Sequence, residues 1–510
     1  MSGCLNEDLS QCAGVGDLLS GSWELTQRIF ENLSFREVAR LRAVCKLWAD
    51  VGAKILERRR KLHYLTVHPH HVPTTEGKVI ISSTSPITLF EKFFEHIVSK
   101  PRYCIGFCNE DWLHKGDVFT RDREKEKVRL AQYILGSLPS TCDFRLISAS
   151  GIIGTVEQNY QGHLLESANS MNQELLSLLY SKDQEEGGLN KNKDQEEGRP
   201  CKRSRRCSTT ESLDNDRPEN SPDTSTSNES SLSGSENLNK SSVGYSIEVE
   251  ARWNSSSTQA EAVTLLLIPH HPGVKLKFFH ISEESFFKEY RQEESSTEKL
   301  VITPEEFNGI TSLSPEDDLK ALLFFDVGLD EGFTSAFITS ALHRQNYKMA
   351  VGGGVVECFD CGKEDPRKVT SQSNLGIAVC GPNVMAVSVI IPKSVGNPKN
   401  LDDYMKQLKS CGLPEGQSLA FMFTCCGRGF SWYRRRGNPW FDYNNVETKA
   451  FRKFFPNTPV FGFFGGGEIG MPFLPKFNES NDETEEVPSK KWKRRLFHQF
   501  TTVIVLLSFL

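Results

Sequence analysis

Apolar residues near the start of the chain recur at helical spacing. In SWELTQRIFENLSFREVARLRAVCKLWADVGAKIL, beginning at Ser22, they fall at Leu25, Ile29, Phe30 and Leu33, then at Val38, Leu41, Val44, Cys45, Leu47, Trp48 and Val51. Those intervals predict amphipathic helices with a break at Leu33–Ser34. Ser34 followed three residues later by Glu37 is a capping box that opens a second helix. Three helices this short cannot bury so much apolar surface among themselves, because small units have a poor ratio of volume to surface. Part of it is therefore expected to face a partner.

From 63 to 170 the pattern changes. Short apolar runs (HYLTV, KVIIS, YCIGF, FRLISASGIIGTV) alternate with amphipathic stretches such as ITLFEKFFEHIVSK, which predicts strands between helices. Residues 171–243 are Ser, Glu, Asn, Lys and Gly, with KDQEEG at 182–187 repeated at 193–198. Such a segment has too little apolar surface to offset chain entropy, so a disordered insert is expected. Strand-like runs resume from 244: YSIEVEARW, AVTLLLIP, KLKFFHI, DLKALLFFDVG, YKMAVGGGVVE, GIAVCG, MAVSVIIP, LAFMFTCC, PVFGFF and the terminal TTVIVLLSFL. Helical patterns separate them at 333–345, at 401–412 with Gly412 as a C-cap, and in VETKAFRKFFP. The expectation is an α/β body whose helices cover one large sheet.

The 510 residues suggest about three domains. Net charge is −6 and the pI about 6.1, which weighs against wholesale nucleic-acid binding. The 14 cysteines are scattered, and MSGCLNEDLSQCAG lacks a basic start and an apolar run. Free thiols in a reducing compartment, cytoplasmic and nuclear, fit better than a disulfide framework. The terminal apolar run follows KKWKRR but is only half of the roughly 20 residues a membrane helix needs, so a buried strand is expected and no membrane partner. The basic cluster at 202–206 reads equally as a nuclear-import signal or a solvated charge run.

The VCKLW stretch, at its spacing from Ile29-Phe30…Leu33, resembles an F-box, with Ser22-Trp23-Glu24-Leu25 where that family usually opens Leu-Pro. LAFMFTCCGRGFSWYRRRG and ETKAFRKFFPNTPVFGFFGGGEIG resemble the C-terminal half of a FIST domain. The resemblance implies an α+β/α/β chain: a flexible 1–20, a small all-helical F-box at 21–62, and a strand-rich FIST-type body in parts 63–170, 244–385 and 386–510 around the insert. It also implies the substrate-recognition subunit of an SCF (Skp1–cullin–F-box) ubiquitin ligase, a non-catalytic adaptor that recruits a protein for ubiquitination and proteasomal degradation. Leu25, Ile29, Phe30, Leu33, Val38, Leu41, Val44, Cys45 and Trp48 would then meet Skp1 and, through it, the cullin–RING ligase. The alternative it raises is a sensory module for a small, amino-acid-like ligand. No cofactor is implied, and the substrate is not named.

Candidate chemistry gathers near the end. Cys425-Cys426-Gly427-Arg428-Gly429 follows an apolar strand. A thiol beside glycines and an arginine can have a lowered pKa, which makes either cysteine a candidate reactive thiol. The alternative is a pair of ordinary small buried residues. Trp432, Tyr433 and Arg434 to Arg436 could grip an acidic or extended peptide, or could be a solvated loop with its aromatics tucked under. VFGFFGGGEIGMP, 460–472, lacks the lysine and hydroxyl of a phosphate loop, and Glu468 would repel phosphate. Its glycines are expected to supply positive φ and close backbone approach, with Phe461, Phe463 and Phe464 as core anchors. Glu468 either caps backbone amides or faces a ligand pocket beside the Cys425 loop. One carboxylate makes no acid–base pair. Cys358-x-x-Cys361 stands without a second pair, and joining it to Cys104, Cys108, His68, His70 or His71 is arbitrary, so no metal is expected.

Overall fold

The computed structural model describes residues 22–67, 72–73, 79–80, 86–109, 119–121, 126–128, 130–156, 245–250, 262–282, 286, 288, 300–328, 331–361, 373–436, 443–477 and 495–510. The N-terminal 1–20, the insert 171–243 with its basic cluster at 202–206, and His68, His70 and His71 lie outside the described residues.

Three helices open the fold: α1 (Trp23–Glu31), α2 (Phe35–Leu41) and α3 (Lys46–Arg58). Ser34 and Glu37 form the capping box in both directions, which satisfies donors at the start of α2. Phe30, Val38, Val51 and Ile55 make a small core, with the Trp48 ring edge-on to Phe30 at 5.4 Å. This unit is fastened to the body. The Phe35 side chain joins a hydrophobic cluster of the body, and the Phe35 N–H donates to Ile97 O at 2.9 Å. The Arg59 guanidinium donates to Phe30 O (2.6 Å), Leu33 O (2.7 Å) and Val98 O (3.0 Å).

The body contains three large sheets where one was expected. Its strands are β1 (His63–Val67), β2 (Pro101–Asn109), β3 (Asp143–Ala149), β4 (Gly151–Thr155), β5 (Ser246–Glu250), β6 (Val263–Pro269), β7 (Lys275–Ile281), β8 (Leu319–Asp326), β9 (Ala350–Val355), β10 (Cys358–Asp360), β11 (Asn374–Cys380), β12 (Val384–Ile391), β13 (Ser418–Cys425), β14 (Val460–Gly465), β15 (Glu468–Met471), β16 (Phe497–His498) and β17 (Thr502–Phe509). Sheet I has the order β1-β6-β2-β3-β10, sheet II β12-β17-β13-β14-β4-β5, and sheet III β7-β11-β8-β9-β15-β16.

The three sheets repeat one plan. Each holds a parallel pair joined by a helical crossover: β2 with β3 through α5 (Leu130–Ser137), β8 with β9 through α7 (Glu331–Arg344), and β13 with β14 through α9 (Phe430–Arg436) and α10 (Val446–Phe454). After the second strand of each pair the chain leaves its sheet and adds an antiparallel strand to the next one. β3 passes into β4 beside β14, β14 into β15 beside β9, and β9 into β10 beside β3. Sheet I thus hands the chain to II, II to III, and III back to I. The runs FRLISASGIIGTV, PVFGFFGGGEIG and AVGGGVVECFD, each a single run to the eye, are the three hand-overs.

Strand alternation then builds two kinds of core. Residues of one face, such as Ile105 and Phe107, Leu323 and Phe325, and Phe421 and Phe423, meet in a cluster shared by all three sheets. Residues of the other face pack under helices: α4 (Pro86–His96) and α5 on sheet I, α6 (Pro304–Thr311) and α7 on sheet III, and α8 (Leu401–Ser410), α9 and α10 on sheet II. Both faces of each sheet are covered, which is why the strands read as continuous apolar runs. The terminal run is β17, buried from Thr502 to Phe509 between β12 and β13. Among the described residues no helix is long and apolar enough to cross a membrane.

Candidate functional site

Two regions collect the candidate residues. On the F-box, Phe30 and Val38 are spent in its core, whereas Leu25, Leu33, Leu41, Cys45 and Trp48 are half-buried. Ile29 and Val44 are exposed, at 39% and 62%. A small domain that leaves two aliphatic side chains in water beside partly covered leucines and a tryptophan presents an apolar face that nothing in the described body covers.

The second region is the carboxyl end of the parallel strands. In open α/β sheets that end, at a change of strand order, is where ligands bind. Phe107, Phe325 and Phe423, one from each sheet, close the central core there, with Phe463 5.1–6.0 Å from each ring centroid. Above them the hand-overs are stitched together. Val355 N–H donates to Gly467 O (2.9 Å), Gly466 N–H to Val355 O (3.0 Å), Glu357 N–H to Ser148 O (2.9 Å) and Cys426 N–H to Gly465 O (2.8 Å). Two of the corners, Ala149-Ser150-Gly151 and Val355-Val356-Glu357, are also joined by a hydrogen bond of 3.2 Å from the Ser150 hydroxyl to the Glu357 carboxylate. The third, from β14 into β15, is the one with unusual chemistry.

At that corner the Glu468 carboxyl is 1% exposed. One oxygen accepts from the Thr501 hydroxyl (2.7 Å) and the Thr501 N–H (3.1 Å), while Oε1 is buried with no hydrogen-bond partner among the described residues. Burial, and then the neighbouring Cys425 thiol, push its pKa up to about 9. It is a neutral carboxylic acid near pH 7. The next link is Cys425, which its hydrogen bond to Cys426 pushes far above the ordinary thiol range. Cys426, half-buried and stabilised as thiolate first by that same hydrogen bond, is brought down to about 7. The lowered thiol was expected from Arg428; the arginine has a different role.

Arg428 is fully buried and paired with Glu447, Nε to Oε1, at 2.5 Å. It also donates to Tyr433 Oη (2.9 Å), Phe500 O (2.9 Å) and Val395 O (3.2 Å). Glu447 is filled by Tyr433 Oη–H (2.6 Å) and Thr502 Oγ1–H (2.5 Å). Trp432, 5% exposed, donates Nε1–H to Val395 O. Trp432 and Tyr433 are therefore core residues and cannot anchor a peptide at the surface. Of that run only the arginines are exposed; Arg434 stacks over Phe430 and Arg436 over Trp432, at the C-terminal end of α9 where cations suit the helix dipole.

The glycine run also differs from expectation. Gly465, Gly466 and Gly467 do not have positive φ; in this stretch Gly462 does, at +154°. A Cβ at Gly462 would lie 1.8 Å from Met422 O, so β13 and β14 can approach only because it is glycine. Phe461, Phe463 and Phe464 are core anchors, as expected. Outside the corner lies a cavity of about 270 Å³ lined by Glu331, Ser335, Gly466, Gly467, Arg495 and His498, among others. Glu468 faces Thr501 and Cys425 and is not part of its lining. Among the described residues no group of three metal-ligating side chains converges.

Sequence reasoning missed Glu447, Thr501 and Arg495. Each is one polar residue among many, identified only by contacts across 19 or more positions, so periodicity carries no signal for them.

Residues 22–54 match the F-box domain family. The chain is 28% identical over 252 residues to F-box only protein 22 of Homo sapiens, covering 48% of this chain and 55% of that protein. It is 27% identical over 252 residues to F-box only protein 22 of Pongo abelii, with the same coverage. The chain thus matches about half the length of these curated relatives. A crystal structure of cyanuric acid hydrolase from A. caulinodans aligns over 49% of this chain and 75% of its own, at 8% identity and a TM-score of 0.23, too low to carry a fold. Residues 22–54 are thus an F-box domain, and over about half its length the chain is similar to F-box only protein 22.

Proposed function

We propose that this protein is the substrate-recognition subunit of an SCF ubiquitin ligase. Its F-box binds Skp1, and through Skp1 the cullin–RING ligase. Its three-sheet body recruits a protein for ubiquitination and proteasomal degradation. The observation that carries the reading is the uncovered apolar face of α1 to α3, with Ile29 and Val44 exposed and Leu33, Leu41 and Trp48 half-buried. Amphipathic helices of this kind are anchors for a hydrophobic groove. In this role the chain supplies position and no catalytic residue of ubiquitin transfer.

The fixed junction through Arg59 and Phe35 supports the same role, because a receptor must hold its cargo at a set distance from the ligase. Proximity labelling, compared between wild type and a variant that cannot bind Skp1, tests recruitment. Cargo proteins should accumulate on the Skp1-blind variant. Identical labelling profiles and identical cargo levels would contradict the proposal.

A further inference from the structure

Gly466 and Gly467 have no folding reason to be glycine. Neither has a positive φ. A Cβ on Gly466 would sit 3.5 Å from Val355 Cγ1, and one on Gly467 would sit 3.4 Å from His498 O, both ordinary contacts. Gly465 is different: its Cβ would meet Val355 O at 2.6 Å. What side chains at 466 and 467 would change is the cavity they line.

That cavity presents Arg495 and Glu331, one charge of each sign, with Ser335 and His498. Arg495 is exposed and makes no ion pair among the described residues. His498 gives its Nε2–H to Gly470 O at 3.1 Å, and burial holds its pKa below the ordinary value, so Arg495 is the cavity's cation. An acidic residue in the wall disfavours polyanions such as nucleotides. The volume, about 270 Å³, is below the roughly 300–1,000 Å³ of pockets for drug-sized ligands and suits the last residue or two of a chain. Beside it β16, a two-residue strand, is the edge of sheet III among the described residues, paired with β15 on one side, which leaves a side along which an extended segment can lie.

We propose that this cavity seats the C-terminal carboxylate of a protein chain. Arg495 takes the carboxylate, the bare backbone of Gly466 and Gly467 lets the chain end approach, and Glu331 favours a basic last side chain. The inference rests on the substrate-receptor reading and gives that receptor its substrate class: proteins with an accessible C-terminus ending in lysine or arginine.

The test uses the full chain bound to Skp1 and immobilised, with a random octapeptide library bearing free C-terminal carboxylates and the same library amidated. The free-acid library should be retained, enriched in terminal lysine and arginine, and the amidated one should not. Arg495→Gln, and Gly466→Ala with Gly467→Ala, should each lower retention at least tenfold with Skp1 binding unchanged. Arg495 is exposed, so its variant decides the matter even if the glycine variant folds poorly. Equal retention of acid and amide overturns the proposal, as does unaltered retention by Arg495→Gln. Binding of single N-acetylated amino acids with no octapeptide retained also overturns it, in favour of a small-molecule site. Loss of Skp1 capture is read separately and would count against the receptor reading instead.

Discussion

Arg428→Met removes the charge that answers Glu447 within a nearly dry site, where the two side chains are 0% and 2% exposed. The arginine also saturates Phe500 O, Val395 O and Tyr433 Oη. Taking one partner from a buried pair costs about 3–5 kcal/mol, because the other charge is left without compensation. The carbonyls that lose a donor add to this, though not additively, since they share one network. The lower end of the range is therefore the expected minimum. Replacing both members, Arg428→Met with Glu447→Met, removes the orphaned charge and should recover most of the loss, because a buried pair is often no more stable than an apolar replacement. Chemical denaturation of wild type, both single variants and the double variant gives the coupling. A loss below about 1 kcal/mol for Arg428→Met would refute the reasoning, as would a double variant no better than the sum of the singles.

Glu468, with a folded-state pKa of about 9, is held by the fold as a neutral acid, so its contribution is complete below its ordinary pKa near 4.5 and is lost as pH rises toward 9. Glu468→Gln should flatten the fall in melting temperature between pH 6 and pH 9; a difference from wild type that does not vary with pH would contradict this. Cys426, brought down to about 7, should react with iodoacetamide near pH 7.5 well before Cys425, and Cys425→Ala should slow it by removing the hydrogen bond; equal labelling of both thiols would refute the assignment. Gly462→Ala forces a Cβ against Met422 O at a φ that side chains rarely adopt, and should cost at least about 1–3 kcal/mol; a neutral effect would mean that β13 and β14 can separate freely.

The F-box was legible because its determinants are local: helical spacing, a capping box within four residues, and apolar positions in excess of its own core. The strands were legible too, but their division among sheets was not. At Ala149-Ser150-Gly151 and at Gly465–Gly467 none of the glycines has positive φ, so no turn chemistry marks the point where the chain changes sheet. Both faces of each strand are buried, so no switch in polarity marks it either. Arg428 reads as a charge beside a candidate thiol until Glu447, Tyr433 and carbonyls from beyond β12 and before β17 are brought around it. Trp432 and Tyr433 follow the second of their two sequence readings, with the aromatics tucked under: α9 turns them inward onto that network and leaves the arginines outside.

On the proposed function, the uncovered face of the first three helices docks onto Skp1. Ile29 and Val44 are exposed, so Ile29→Asp with Val44→Asp should leave the melting temperature within a degree or two of wild type. Calorimetric titration of the purified chain with Skp1 should give a tight complex for wild type and at least a hundredfold weaker one for the double variant. Equal affinity of the two, with both folded, would contradict the account.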